Sequence, residues 1–357
     1  MQVVEIHGEE QYVEDFVRLP EKLYPKRYRT QNPHTERALL AGTHPLSKYF
    51  NCQAFLVYDG EEAVARFALT TYPEDETAYL GFFECADDRE AGKAVFDAAE
   101  ACARAKHCRR IAGPLDASFW LGYRMKTDGF DRLPFFGEPY NKAYYPRLWE
   151  TNGYAPLAQY ISNLYPVGPF TAAEEEEQRF TRHEKRCRER GYRIEDVTGQ
   201  TFDAALKDIF EMLSELYAVF PLFKPIEWAD FQPLFAQIKP LLDFSLVKMA
   251  YKDGAPVGFT VTVPDHGPIP PQPGLADKLR IARGRKHAAA YVALYVGVRK
   301  GHEGLAPAML QQVRREAGRR KAAIIAALIR AGKVTGGYLN SAIEEETHYA
   351  LYAKDVR

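Results

Sequence analysis

Twice along this chain two apolar runs flank an Asp-Gly pair: residues 54–58 and 63–71 around Asp59-Gly60, then residues 246–251 and 256–263 around Asp253-Gly254. Asp-Gly readily takes the positive φ angles of a two-residue turn, so each pattern predicts an antiparallel hairpin. The segments after the two hairpins are also alike. After the first comes an apolar run, 78–85, then Asp87 and Asp88, then an Ala-rich stretch, 91–105, whose Val95, Ala98, Ala99 and Cys102 recur at helical spacing. After the second come a β-rich run, 288–298, a glycine-bearing loop and a helix over 307–321. The repeated order predicts two α/β halves. Pro156, Pro166, Gly168 and Pro169 around the short run 159–165 place their boundary near residue 160. The length of 357 residues suits two domains, 1–160 and 161–357.

The 46% apolar and 27% charged composition suffices for a buried core and excludes a disordered or fibrous chain. No apolar run is long enough to span a bilayer, and Glu9, Glu10, Glu14 and Asp15 interrupt any signal-peptide core, which predicts a cytoplasmic protein without a membrane partner. Cys52, Cys85, Cys102, Cys108 and Cys187 form no C-x-x-C pair and read as reduced, buried thiols. Between them, Thr171 and Glu174 have capping-box spacing, and Gly191 suits a C-terminal cap, predicting a mostly exposed helix over 172–190. His183 and Cys187 share one face of that helix, but two ligands without a third do not make a metal site.

Charge is uneven. Residues 278–333 hold 14 Lys or Arg against Glu303 and Glu316, a local excess of 12 in a chain of net charge −1. The segment is either a solvated basic face or the contact for a polyanion, such as a phosphorylated cofactor or tRNA. Within it, the strand ending at Val298 runs into Arg299, Lys300, Gly301, His302, Glu303, Gly304, Leu305 and Ala306, and Pro307 opens a helix. Loop amides and a helix N-terminus in this order can converge on a pyrophosphate; the plain alternative is a tight turn. The segment Pro139-Tyr140-Asn141 with Tyr144, Tyr145 and Pro146 precedes the boundary. Tyr140, Asn141 and Tyr144 either orient a substrate in an interdomain cleft or belong to a packed aromatic wedge.

The strand, the 299–306 loop and the helix resemble the acyl-CoA pyrophosphate loop of the GNAT acetyltransferase superfamily, with pattern Q/R-x-x-G-x-G/A. Gly304 and Ala306 match its last two positions, and Gly301 stands at the first. Nearly the whole chain resembles a family of bacterial GNAT-like tandem proteins of unsettled substrate, through Phe16-Val17-Arg18-Leu19-Pro20, Gly113-Pro114, Asp128-Gly129-Phe130-Asp131, Pro139-Tyr140-Asn141, Gly258-Phe259, Val263-Pro264-Asp265 and Arg283-Gly284-Arg285-Lys286; Asp116 stands where an Asn is expected. The resemblance implies an α/β (α+β) fold of two GNAT-like domains, each a mixed twisted sheet flanked by helices. It implies an N-acyltransferase using acetyl-CoA or another acyl-CoA, bound in the second half, on a small-molecule or peptide amine. Tyr338, just past the strand 322–329, would be the general acid, and Asp265 or His266 the base; a packing Tyr and a simple turn are the alternatives. Two other functions fit the same fold: a noncatalytic ligand-binding protein, and an aminoacyl-tRNA-dependent transferase. The acids Asp87, Asp88 and Glu90 predict that the first half binds no coenzyme A.

Overall fold

The computed structural model describes residues 1–168 and 172–356; Pro169 and the proposed capping residue Thr171 lie outside them. In chain order the elements are β1 (Gln2–Glu5), α1 (Glu10–Leu23), α2 (Pro33–Leu40), β2 (Asn51–Asp59), β3 (Glu62–Thr71), β4 (Thr77–Cys85), α3 (Arg89–Ala105), β5 (Arg110–Gly113), β6 (Met125–Lys126), α4 (Tyr145–Thr151) and β7 (Ala155–Tyr165). Then come α5 (Glu174–Glu189), β8 (Arg193–Asp196), α6 (Phe202–Tyr217), α7 (Trp228–Ala236), β9 (Val247–Lys252), β10 (Ala255–Pro264), α8 (Leu275–His287), β11 (Ala290–Val298), α9 (Leu305–Arg319), β12 (Ala323–Arg330) and β13 (Glu345–Asp355). Both Asp-Gly pairs turn hairpins, β2–β3 and β9–β10.

All these strands join one mixed sheet in the order β1-β2-β3-β4-β5-β13-β7-β12-β11-β10-β9-β8, with β6 on the side of β13. The two halves exchange strands at its centre. β7, which contains residue 160, pairs with β12 along one edge, while the C-terminal β13 crosses back to pair with β5. β13 and β7 then pair with each other over most of their length. Covered on both faces, β13 buries the consecutive Tyr349, Ala350, Leu351 and Tyr352, and Ala350, Tyr352 and Val356 join the first half's core with Phe96, Trp149 and Tyr154.

Each half carries the same irregularity. A bulge shifts register between Arg66 and Ala68 where β3 meets β4, and another between Val261 and Thr262 where β10 meets β11. Beside each bulge lies a short parallel pairing, Thr77–Tyr79 with Arg110–Ala112 and Ala290–Ala293 with Ala323–Ala326, after which the strands separate. α5 is mostly exposed, as its sequence suggests, and turns Phe180 and Cys187 inward. Phe180 packs with Val313 and Ala317 of α9, and Cys187 with Leu305 and Ala308. Cys85, Cys108 and Cys187 are buried thiols, whereas Cys52 and Cys102 are half-buried. Among the described residues no helix is long and apolar enough to cross a membrane.

Candidate functional site

The separation of strands beyond each bulge makes a gap, and the two gaps are treated differently. In the first half the chain fills its own gap. The Leu115 amide donates to Leu80 O (2.9 Å), and the Phe82 amide donates to Asp116 Oδ1 (2.6 Å). The fit admits only glycine at 81, where a Cβ would stand 1.8 Å from Leu115 O. The turn into α3 is also closed. Asp88 accepts from the Glu90 and Ala91 amides (2.7 and 3.0 Å), the Cys85 amide donates to Tyr145 Oη (2.9 Å), and Tyr144 Oη donates to Cys85 O (2.7 Å).

In the second half the gap stays open. Past Ala293, β11 keeps its pairing with β10 and loses β12, while β12 carries its own irregularity between Ala326 and Ile329, with Leu328 at a φ of 57°. Neighbours hold that bend, since the Leu328 amide donates to Ser162 Oγ (2.9 Å) and Arg124 Nη1 donates to Leu328 O (3.0 Å). The gap opens into a cavity of about 1050 Å³, walled here by Leu294–Val298, Ala326–Arg330, Leu310 and Val313. The N-terminus of α9 has Gly304 as its cap, at a φ of 90°, and no side chain among the described residues caps its first amides. The loop before it is less open than its sequence suggests. Gly301 N donates to Glu303 Oε1 (3.0 Å), and Arg299 is tied to Glu215 Oε2 (3.0 Å) and Pro256 O (2.9 Å). His302 Nδ1 meets Tyr192 Oη (2.8 Å), and a Cβ on Gly304 would come within 2.5 Å of His183 Nδ1. Lys300 is exposed, Leu305 is buried against Met309, and Val298 lines the cavity.

These features fit an acyl-CoA in outline: a slot bounded by two strands, leading from a helix end without a side-chain cap. A diphosphate here would have to displace the exposed Glu303 carboxylate from Gly301.

Among the residues proposed for catalysis, Tyr338 lies at the cavity wall and Asp265 and His266 do not. Tyr338 follows a short 3-10 turn rather than lying on a helix, stands edge-on to Phe180 (5.6 Å), and has its phenol pushed up by burial, so it is protonated at neutral pH. Asp265 Oδ1 accepts from the Phe136 and Gly267 amides (2.9 and 2.8 Å). His266 is buried with Nε2 against Leu241 O (3.0 Å), and burial holds its pKa below the usual imidazole range. Of the substrate candidates, Tyr140 and Asn141 line the cavity. Tyr140 stacks on Tyr28 at 5.0 Å, and Asn141 clamps the Lys126 backbone from both sides (2.8 and 3.1 Å). Tyr144 serves the closed turn instead.

Two other groups on the same cavity carry no local sequence signal. Tyr123, Arg124, Tyr217 and Tyr295 meet beside the open gap, with the Arg124 guanidinium 3.9 Å from the Tyr123 ring centre. Toward the first half the wall carries Glu36, Arg66, Glu84 and Asp116. Arg66 holds Glu36 through both terminal nitrogens (2.6 and 3.0 Å), and Glu84 accepts from Tyr24, Tyr145 and Gln31 (2.7 Å each). Burial raises Glu84 to about 7 and Asp116 to about 6. In the basic segment, Arg280, Arg299, Arg314, Arg315, Arg319 and Arg320 all pair with acids, which uses much of its charge internally.

Two bulged, gapped sheet units with a strand–turn–helix step in each define a tandem GNAT fold. Comparison with solved structures agrees. Over 100% of its length the chain is similar to a tandem GNAT protein from the clavulanic acid biosynthesis pathway, covering 98% of that protein at 11% identity and a TM-score of 0.50. It is similar over 100% of its length to a GCN5-related N-acetyltransferase from Anabaena variabilis ATCC 29413, covering 73% of it at 7% identity and a TM-score of 0.54. In sequence it is similar to Protein YghO of Escherichia coli (strain K12), 22% identical over 263 residues; the match takes in 70% of this chain and 65% of that relative's length. No family model matches the chain.

Proposed function

We propose that the protein is an N-acyltransferase that moves an acyl group from acyl-CoA to an amine, with the acyl-CoA held by the second half and the first half shaping the acceptor side. The observation that carries this reading is the open β11–β12 gap leading from the side-chain-free cap of α9. Residues 294–298 would hold the extended part of the molecule and the amides of 301–306 its diphosphate, with Lys300 adding charge. When bound, acyl-CoA supplies an activated thioester. Backbone amides released from pairing at the β11 bulge are donors for the acyl carbonyl. Arg124, a cation beside the gap, favours the neutral form of a nearby amine, which is the nucleophilic one. Tyr338 keeps its proton at neutral pH and can give it to the departing sulfur.

Calorimetric titration with acetyl-CoA, followed by transfer assays over a panel of amines, tests the reading. Tyr338→Phe should lower turnover about 100-fold with little change in acetyl-CoA affinity. Unchanged turnover would make Tyr338 a packing residue, and binding without transfer to any amine would leave a noncatalytic ligand-binding protein.

A further inference from the structure

Side-chain alternation along the strands makes the open gap a passage between the two faces of the second half. Tyr291 and Ile324 share a cluster with Val313 and Ala317 of α9, whereas Val292 and Ala327 share one with Met212 of α6 and Phe231 of α7. A diphosphate at residues 301–306 would enter from the α9 side. The rest of the molecule would then run back along β11 from Val298, and its acyl end would arrive at Leu294. That residue has no partner on β10: Tyr295 pairs with Val261 and Ala293 with Thr262, which leaves Leu294 in the bulge between them.

What Leu294 faces is apolar. Its Cδ2 lies 3.5 Å from the place a Cβ on Gly137 would take. Trp120, Phe135 and Phe136 from loops of the first half, Leu234 of α7 and Ile238 just after it line the same cavity and pack with Leu294 around one cluster, yet each is only half-buried. None of these side chains can accept a hydrogen bond from an amine. Their N–H donors are also spent, since Trp120 Nε1 donates to Lys224 O (2.8 Å), the Phe135 amide to Glu138 Oε2 (3.1 Å) and the Phe136 amide to Asp265 Oδ1 (2.9 Å). An amine finds polar neighbours elsewhere on the cavity, beside Tyr123 and Arg124, which pack with Tyr160. Large apolar side chains left half-buried around a cavity of about 1050 Å³ are surface that an apolar ligand can still cover. An acetyl group carries a single methyl beyond its carbonyl and reaches little of this wall.

We infer that the transferred acyl group is an aliphatic chain of about octanoyl length, lying beyond the β11 bulge against Leu294, Trp120, Phe136, Leu234 and Ile238. This deepens the proposed N-acyltransferase function and rests on it for the course of the acyl-CoA along β11. Chain length leaves the transfer itself unchanged: the amine nitrogen bonds the carbonyl carbon, the C–S bond breaks with its electron pair on sulfur, and the proton lost by nitrogen balances the one gained by sulfur.

The test is calorimetric titration of the full chain with coenzyme A, acetyl-CoA, butyryl-CoA and octanoyl-CoA as probes. Each methylene buried is worth about fourfold in affinity. Octanoyl-CoA should therefore bind at least about 100-fold more tightly than acetyl-CoA, with butyryl-CoA between them. Leu234→Asp places a carboxylate on the apolar wall and should cut the preference for octanoyl-CoA over acetyl-CoA at least about tenfold; Ile238→Asp should do the same, so that either variant suffices if the other fails to fold. Equal affinity for acetyl-CoA and octanoyl-CoA, or a preference that a folded variant retains in full, overturns the inference while leaving the acyl-CoA slot in place. Binding of none of the four probes would sink the acyltransferase reading, and this inference with it.

Discussion

The two halves build the same bulge and the same separated strand pair, and then diverge in what they put between the strands. In the first half the segment from Leu115 to Asp116 enters the gap and Asp88 caps the next helix with its own carboxylate. In the second half none of the described residues fills the space between Leu294–Val298 and Ala326–Ile329, and Gly304 caps without a side chain. A shared fold therefore fixes where a cofactor slot is possible, and a few local residues decide whether it is available. The filled half still borders the cavity, where Glu84 of β4 and the gap-filling Asp116 lie on its wall.

The largest expected effect comes from disturbing the filled gap. Gly81→Ala places a Cβ against backbone that cannot swing aside, so urea denaturation should show a loss of roughly 3–5 kcal/mol. A loss below about 1 kcal/mol would mean that the first gap is not closed in solution.

Next comes the pH dependence of the buried acids. Burial raises Glu84 from 4.5 to about 7, so the folded state binds more protons than the unfolded one between those values. Stability contributed by the protonated form is present at low pH and declines as pH rises through about 7. The decline due to Glu84 should be on the order of 3 kcal/mol between about pH 5 and pH 8, and Glu84→Gln should remove it, leaving the smaller decline that Asp116 contributes as pH rises through about 6. A wild-type curve flat across that window would place Glu84 in a wetter setting than its cavity wall.

A smaller effect separates the two gaps as cofactor slots. Ala326 lines the open gap, and Ala326→Trp should weaken acetyl-CoA binding about 100-fold by filling it. Asp88→Ala should cost about 1 kcal/mol of stability as a lost helix cap and leave that affinity alone. Equal responses to the two substitutions would erase the distinction between the halves.

Much of the local structure was legible because its signals are local. The Asp-Gly turns and the glycine-bearing approach to α9 announce themselves within a few residues. Strand exchange does not, because which strand β13 joins depends on surfaces far away along the chain and leaves no mark on its own sequence. β5 is four residues long and carries too little periodicity to notice. Asp265 and His266 sit on a loop after a strand, where catalytic residues are often found, yet backbone amides and a carbonyl satisfy them. Glu84 shows the opposite failure. Among the apolar residues of β4 it reads as one polar position, and only the convergence of Tyr24, Gln31, Arg66 and Tyr145 shows it to be part of a buried charged wall.

Whether one half of this tandem fold holds the acyl-CoA and the other does not can be read from a crystal structure of the full chain with coenzyme A. One molecule per chain is expected, extended between β11 and β12 with its diphosphate against residues 301–306. Density at the turn around Asp88, in place of that or in addition to it, would show that the two halves do not differ in this way.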